Sequence, residues 1–274
     1  MIAIVTDSTA YLTHEEAVEL GVVVVPMSYS LGGVRSMNEG YIEEDVNANR
    51  QVAENIDGMH TSQATLSGFI NAFQTLQKTG YEILCLPMSS RLSGTYANAM
   101  LAAKEVGGRI QVVDSLAVCA GLYMLIKEAR RMIREGAILE EVAEAMSQMR
   151  HRLKVCFSVD DMTPLRRSGR LGNVRMSVST VLNIKPILEL REGVVVSTGL
   201  ARGRTDQVNK LYQFCKDAGT DLIIDNFLGD EAAERLATKL EQEGMHVLER
   251  RRMGPVLGAH LGRGCVGVGY IEKT

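Results

Sequence analysis

Four hydroxyl side chains crowd one short stretch of the chain: Ser89, Ser90, Ser93 and Thr95, within Pro87-Met88-Ser89-Ser90-Arg91-Leu92-Ser93-Gly94-Thr95-Tyr96. Residues 83–86 before it are apolar and read as a buried strand. Residues 95–106 after it are rich in Ala, Met and Leu and read as a helix. The hydroxyls therefore belong to a strand-to-helix loop, and Gly94 lets another group approach the backbone closely. A helix start carries unpaired N–H groups and partial positive charge, which suits an anion. One serine is enough to cap a helix, and four exceed that need. Two further polar clusters stand beside helices or strands in the same way. One is Thr6-Asp7-Ser8-Thr9, after the apolar run 2–5; the other is His60-Thr61-Ser62-Gln63, ahead of a helix with Leu66, Phe69, Ile70, Phe73 and Leu76 at helical spacing.

The elements that must position these residues alternate through the first half of the chain. Strands are expected at 2–5, 22–27, 83–86 and 110–113, with helices from a Thr13/Glu16 capping box to residue 20 and over 43–56, 66–79, 95–106, 122–134 and 139–152. Gly32-Gly33 offers a hairpin turn. This is the pattern of a parallel α/β sheet, in which ligands bind beyond the carboxyl ends of the strands. Thr6–Thr9, Ser89–Thr95 and Asp114-Ser115 all follow strands and are expected to converge on one rim.

The second half reads as a mixed-sheet α+β lobe. Strands are expected at 155–159, 222–224, 245–248 and 265–271, with a hairpin of 184–190 and 194–200 turning at Glu192-Gly193 and helices over 205–216 and 231–241. Residues 165–172 read as a basic, glycine-broken turn carrying Arg166, Arg167 and Arg170, and residues 253–264 as a glycine-rich turn carrying His260. The expected division is an N-terminal α/β lobe, 1–153, with the hydroxyl-rich site, and a C-terminal lobe, 154–274, closing over the ligand.

Composition narrows the function classes. The 274 residues are 46% hydrophobic and 23% charged, with a net charge of −3, enough for a sizeable core and without the basic excess of a nucleic-acid surface. The five cysteines are scattered among apolar neighbours with no CxxC or Cys/His spacing, so reduced core thiols are expected and no metal site. There is no secretory signal pattern and no run long enough to span a membrane; a cytoplasmic location is expected. Gly262-Arg263-Gly264-Cys265-Val266-Gly267 matches G-x-G-x-x-G but precedes a strand, so it is not a dinucleotide fingerprint. Asp7 after the first strand invites comparison with aspartyl phosphoryl-transfer sites, yet no second carboxylate stands by to hold magnesium. No G-x-S-x-G elbow surrounds the serines. A hydrolase using Ser93 or a phosphoryl-transfer enzyme using Asp7, acting on a small anionic amphiphile, is the alternative to a binding protein without catalysis of its own.

Several of these motifs in order resemble the DegV family of bacterial lipid-binding proteins: Ile4-Val5-Thr6-Asp7-Ser8-Thr9, Thr61-Ser62-Gln63, the Ser89–Tyr96 segment, Val113-Asp114-Ser115, Ser168-Gly169-Arg170-Leu171-Gly172, Leu182-Asn183-Ile184-Lys185-Pro186-Ile187-Leu188, and Gly254-Pro255-Val256-Leu257-Gly258-Ala259-His260. The resemblance implies a two-lobe protein that buries one long-chain fatty acid, needs no cofactor, and serves a partner kinase that phosphorylates the bound carboxylate for phospholipid synthesis. Only transient membrane contact would accompany that role. It also implies that Thr61 and Ser93 hold the carboxylate with backbone N–H groups near Gly94, that His260 joins the same network, and that Arg170 lies near the head group. Ser62, Thr95 and Ser8 complete the expected ligand set, and Arg202 and Arg204 are the expected kinase-docking residues. The tail is expected among Phe69, Ile70, Phe73, Met27, Leu92, Met100 and Leu257.

Overall fold

The computed structural model describes residues 1–32, 35–42, 46–171 and 183–273. Along the chain its strands are β1 (Ile2–Asp7), β2 (Val22–Val25), β3 (Met27–Leu31), β4 (Arg35–Glu39), β5 (Met59–Ser62), β6 (Glu82–Leu86), β7 (Ile110–Val112), β8 (Leu153–Ser158), β9 (Ile184–Arg191), β10 (Val194–Arg202), β11 (Leu222–Phe227), β12 (Val247–Arg252) and β13 (Cys265–Ile271). Its helices are α1 (His14–Glu19), α2 (Val46–Glu54), α3 (Leu66–Lys78), α4 (Thr95–Val106), α5 (Cys119–Arg134), α6 (Leu139–Met149), α7 (Thr163–Ser168), α8 (Gly203–Cys215), α9 (Asp230–Gln242) and α10 (Pro255–Leu261).

Among the described residues these strands form three sheets. The first runs β2-β1-β6-β7 and is parallel throughout. The second, β10-β9-β8-β13-β11-β12, is antiparallel except where β12 joins β11. A small antiparallel sheet, β4-β3-β5, stands apart from both. The architecture is α/β, with a parallel first sheet and a mixed second one. The expected single strand over 22–27 is broken because Pro26 cannot donate to a ladder; β2 stays in the first sheet and Met27 opens β3 in the small one.

Local chemistry accounts for the element ends. Thr13 Oγ1 accepts from Glu16 N at 3.1 Å while Glu16 accepts from Thr13 N at 2.8 Å, closing the capping box of α1. Glu192 (φ 46°) and Gly193 (φ 77°) turn the β9–β10 hairpin with two left-handed residues, the geometry that matches strand twist. The β3–β4 hairpin turns at Gly32, while Gly33 lies outside the described residues, as do 43–45 of the expected helix before Ile56. Two expected turns are helices instead. Residues 163–168 form α7, begun by Pro164 near its start. Residues 255–261 form α10, and the glycine there answers a packing need: a Cβ on Gly258 would run into the Phe227 ring.

Strand β13 shows how the two faces of the mixed sheet divide. Val266, Val268 and Tyr270 point into a cluster with Leu211 of α8 and Leu236 and Leu240 of α9. Cys265, Gly267 and Gly269 face the other way, where a Cβ on Gly269 would lie 3.1 Å from Ala120 of α5. On that side one apolar cluster takes in Ile4 and Val5 of β1, Leu122 and Leu125 of α5, and Ile223 and Phe227 of β11. All five cysteines are free and buried.

Candidate functional site

The strand-end clusters do meet, and most of their polar groups hold the loop of residues 87–94 in place. Asp7 Oδ2 accepts from Met88 N at 2.6 Å, and Asp7 Oδ1 accepts from Thr9 N and Thr9 Oγ1 at 2.9 and 2.6 Å. Burial pushes the Asp7 carboxyl up from its ordinary value while these three bonds oppose the shift. On the other side Asp114 Oδ1 accepts from Ser90 N at 3.0 Å. Ser89 is buried, and its hydroxyl donates to Gly193 O at 2.9 Å, tying the loop to the β9–β10 turn.

Within this frame a cavity of about 370 Å³ opens between the first half of the chain and the inner face of the mixed sheet, a size ordinary for a small-molecule site. Thr61, Ser62, Gln63, Ser93, Gly94, Arg170 and His260 line it, together with Met27, Leu92, Leu257 and other apolar side chains. Thr61 reaches it from β5, Ser93 and Gly94 from the start of α4, and His260 from the last turn of α10. Thr61 Oγ1 and His260 Nε2 share a hydrogen bond of 2.8 Å. Ser93 Oγ lies 2.9 Å from Thr95 Oγ1 and accepts from Thr95 N at 3.3 Å. The Gln63 amide packs so closely over Gly94 that a side chain there would collide with it.

Electrostatics at this end of the cavity are gentle. Burial, with the Arg170 and Arg167 guanidinium groups nearby, pushes the His260 imidazole down to about 4. It is neutral at pH 7, so the residues that meet here are uncharged donors and acceptors apart from Arg170. The Arg170 guanidinium is exposed and hydrogen-bonded to Ser168 O and Leu92 O.

Helix α10, which carries His260, is anchored by buried polar groups. Glu39 Oε2 accepts from Val256 N at 2.7 Å, and the Tyr11 hydroxyl accepts from Leu257 N at 3.1 Å. Burial pushes the Glu39 carboxyl up to about 8, against hydrogen bonds from Val256 and Ser8.

Two of the expected ligand residues are used for support. Ser8 is buried, does not line the cavity, and accepts from Met27 N at 3.3 Å. Thr95 is buried behind Ser93, where its hydroxyl accepts from Ala64 N at 3.3 Å. Of the expected tail contacts, Met27, Leu92 and Leu257 line the cavity. Phe69 and Phe73 pack in the core against each other instead, and Met100 is 44% exposed on the outer face of α4. Arg204 is engaged with Asp160 and Gln207, while Arg202 is exposed where β10 meets α8. Gly172 and Leu182 lie outside the described residues.

The sequence reading missed the cavity floor: Val155, Phe157, Leu190, Val195, Cys265, Gly267 and Asp225, all from the mixed sheet. The alternation in Cys265-Val266-Gly267-Val268-Gly269 was the available signal, since it puts small residues on one face of a buried strand. Among the described residues no helix is long and apolar enough to cross a membrane, and no group of three or more His, Cys, Asp or Glu is placed to hold a metal ion.

Similarity to other proteins runs the length of the chain. A family model described as "Uncharacterised protein, DegV family" matches residues 1–273. A DegV domain-containing protein of Halalkalibacterium halodurans is 35% identical over 290 residues, covering 99% of each chain. A Thermus thermophilus DegV family protein, whose solved structure is described by its fatty acid binding, superposes with a TM-score of 0.87 at 29% identity and 99% coverage of each. DegV of Bacillus subtilis, described as a fatty acid binding protein, superposes with a TM-score of 0.83 at 26% identity, again over 99% of each. A match that extends from the first strand through the last, with the same fold recovered in solved relatives, places this chain in the DegV family.

Proposed function

We propose that the protein binds one long-chain fatty acid between two lobes, residues 1–153 and 154–274, and acts as a carrier without catalysis of its own. The carboxylate lies at Thr61, Ser62, Ser93 and Gly94, with His260 orienting the Thr61 hydroxyl, and Arg170 stands near the head group. The acyl chain runs over the apolar floor of the mixed sheet. The observation that carries this reading is the Thr61–His260 hydrogen bond at one part of a cavity whose remaining wall is largely apolar. The fatty acid binding described for the Thermus thermophilus and Bacillus subtilis relatives supports it.

The energetics suit such a division of labour. Burying about fourteen methylenes at about 0.8 kcal/mol each offers on the order of 11 kcal/mol before association costs. The tail then supplies most of the affinity and the hydroxyls set the position of the acid. Neutral donors satisfy a carboxylate without locking it in a tight ion pair, which leaves an oxygen free to attack a phosphoryl group brought by a partner. Presentation to a kinase is therefore part of the proposal, with exposed Arg202 as a docking residue and Arg204 available only if it leaves Asp160. The protein is expected to be cytoplasmic, with brief membrane contact during loading.

The test is to denature the purified protein and identify what it releases by mass spectrometry. A stoichiometric fatty acid is the expected result. A protein that neither releases nor takes up any fatty acid overturns the reading. Turnover of acyl esters, or of ATP with Mg²⁺, by the chain alone would favour the enzyme alternative.

A further inference from the structure

The floor of the cavity is laid in rows across the mixed sheet. Helix α10 leads into β13 within a few residues, so Cys265 opens the row beside His260. Gly267 and its partner Phe157 on β8 make the next row. Two residues back along β8 stands Val155, in register with Leu190 of β9, which is in register with Val195 of β10. All three line the cavity, whereas Leu153 of β8 and Gly269 of β13 do not. The floor ends at this third row. Val155 lies level with Gly269, and at the rise of a strand that is about 13 Å along β13 from Cys265.

Helix α5 closes that end. A Cβ on Gly269 would lie 3.1 Å from Ala120 Cβ, so the helix covers the strand there. The Val155 side chain fills the corner between the two elements. Its Cγ2 would stand 3.4 Å from a Cβ on Gly121 of α5 and 3.5 Å from one on Gly269. The side chain is thus on the α5 face of the sheet, and β8 is paired on both edges. Val155 nevertheless stays partly exposed, so the surface it keeps open is turned to the cavity it lines.

We infer that Val155 is the end stop for the acyl chain and so sets the longest fatty acid that the protein binds well. This rests on the fatty-acid reading, with the carboxylate at Thr61 and Ser93. A chain running from there along β13 brings its methyl end to the last row, against Val155. Cutting Val155 back to alanine removes two methyl groups from a corner where Gly121 and Gly269 carry no side chain to refill it. The vacated space then joins the cavity, because surroundings relax only in part around a truncation. A longer side chain at the same position takes room from the ligand instead.

The experiment ranks saturated fatty acids, from capric to arachidic acid, by displacement of a fluorescent fatty acid from the full chain. On the unaltered protein affinity should rise by about fourfold per added methylene, reach a best length, and fall beyond it. In Val155→Ala the best length moves one or two carbons longer, to match the two methyl groups removed. In Val155→Ile, which lengthens the stop by one carbon, it moves about one carbon shorter. Leu92→Ala, beside Ser93 at the head-group end, weakens every chain alike and leaves the best length where it was. Should Val155→Ala fail to fold, the milder Val155→Ile decides. The end stop is overturned if affinity reaches a plateau with length on the unaltered protein, if the best length is the same in the Val155 variants, or if Leu92→Ala moves it as far as they do. Any of these leaves the fatty-acid reading intact. Failure of every acid to bind the unaltered protein removes both.

Discussion

The Thr61 hydroxyl and the His260 imidazole, 199 residues apart in the chain, meet at 2.8 Å. A β-strand edge and a short helix from opposite halves of the sequence thus share one polar contact. If this pair and Ser93 hold a carboxylate, Thr61→Ala and Ser93→Ala each weaken fatty acid affinity by about tenfold, the worth of one hydrogen bond to a charged group. Binding persists in each single variant because the tail contributes independently. Displacement of a fluorescent fatty acid measures both. Unchanged affinity in both variants would remove these residues from the head-group site.

Protonation of His260 sets an acid limit. The unfolded imidazole takes up a proton near 6.5 and the folded one near 4. Between those values the unfolded chain binds more protons, so this contribution is complete above about pH 6.5 and is lost as pH falls toward 4. The loss amounts to about 3 kcal/mol at most. Urea denaturation across pH 4–7 should show the decline, and His260→Gln should flatten it.

Glu39 works in the opposite direction. Its folded carboxyl titrates near 8 and its unfolded one near 4.5. In that window the folded state binds more protons, so stability is greatest at the acid side and falls as pH rises through 8. Glu39→Gln keeps an acceptor for Val256 N and removes the ionisation. Its melting temperature relative to that of the unaltered protein should rise from pH 5 to pH 8 and level off by pH 9.

Arg251 is the buried joint between α1, α5 and β12. It lies 2.6 Å from Glu16 and 2.7 Å from Glu249, donates to Tyr11 O at 2.7 Å, and stacks 3.6 Å from the Tyr123 ring centroid. Arg251→Met leaves two partly buried carboxylates facing each other, and the expected cost is about 3 kcal/mol in chemical denaturation. Adding Glu16→Gln to that variant should recover part of it, because the repulsion is then relieved.

Gly258 tests the packing of α10. A methyl group there would enter the space of the Phe227 ring, and overpacking of this kind costs about 1–3 kcal/mol. Gly258→Ala should lower the melting temperature, and, by shifting α10, should reduce fatty acid affinity more than its stability loss alone would.

Much of this molecule was legible in the chain because local rules and tertiary structure agree. The Thr13–Glu16 capping box, the Glu192-Gly193 hairpin and the strands that precede Asp7 and Pro87 all follow from short-range chemistry. The readings that failed are places where distant atoms decide. Gly254 and Gly258 look like turn residues, yet they sit in or against a helix because Glu39, Tyr11 and Phe227 leave no room for a Cβ. Basic residues 166–167 look like a solvated turn, yet Pro164 starts a helix under them. Ser8 and Thr95 carry the right hydroxyls for a ligand, but the fold buries both away from the cavity, where they accept from Met27 N and Ala64 N. The cavity floor was hidden because an inward Val or Leu of a buried strand reads the same whether it meets protein or ligand.

The apolar body shared by β1, α5 and β11 bears on how cargo would enter. Swinging the halves apart would strip Ile4, Leu122, Ile223 and Phe227 of their cover in one event. On the fatty-acid reading, entry of an acyl chain would then need only a few side chains to yield around the opening, with the interior staying shut. The same continuity predicts that the two halves melt together, and that a fragment cut after residue 153 would present a greasy, unsatisfied flank to water.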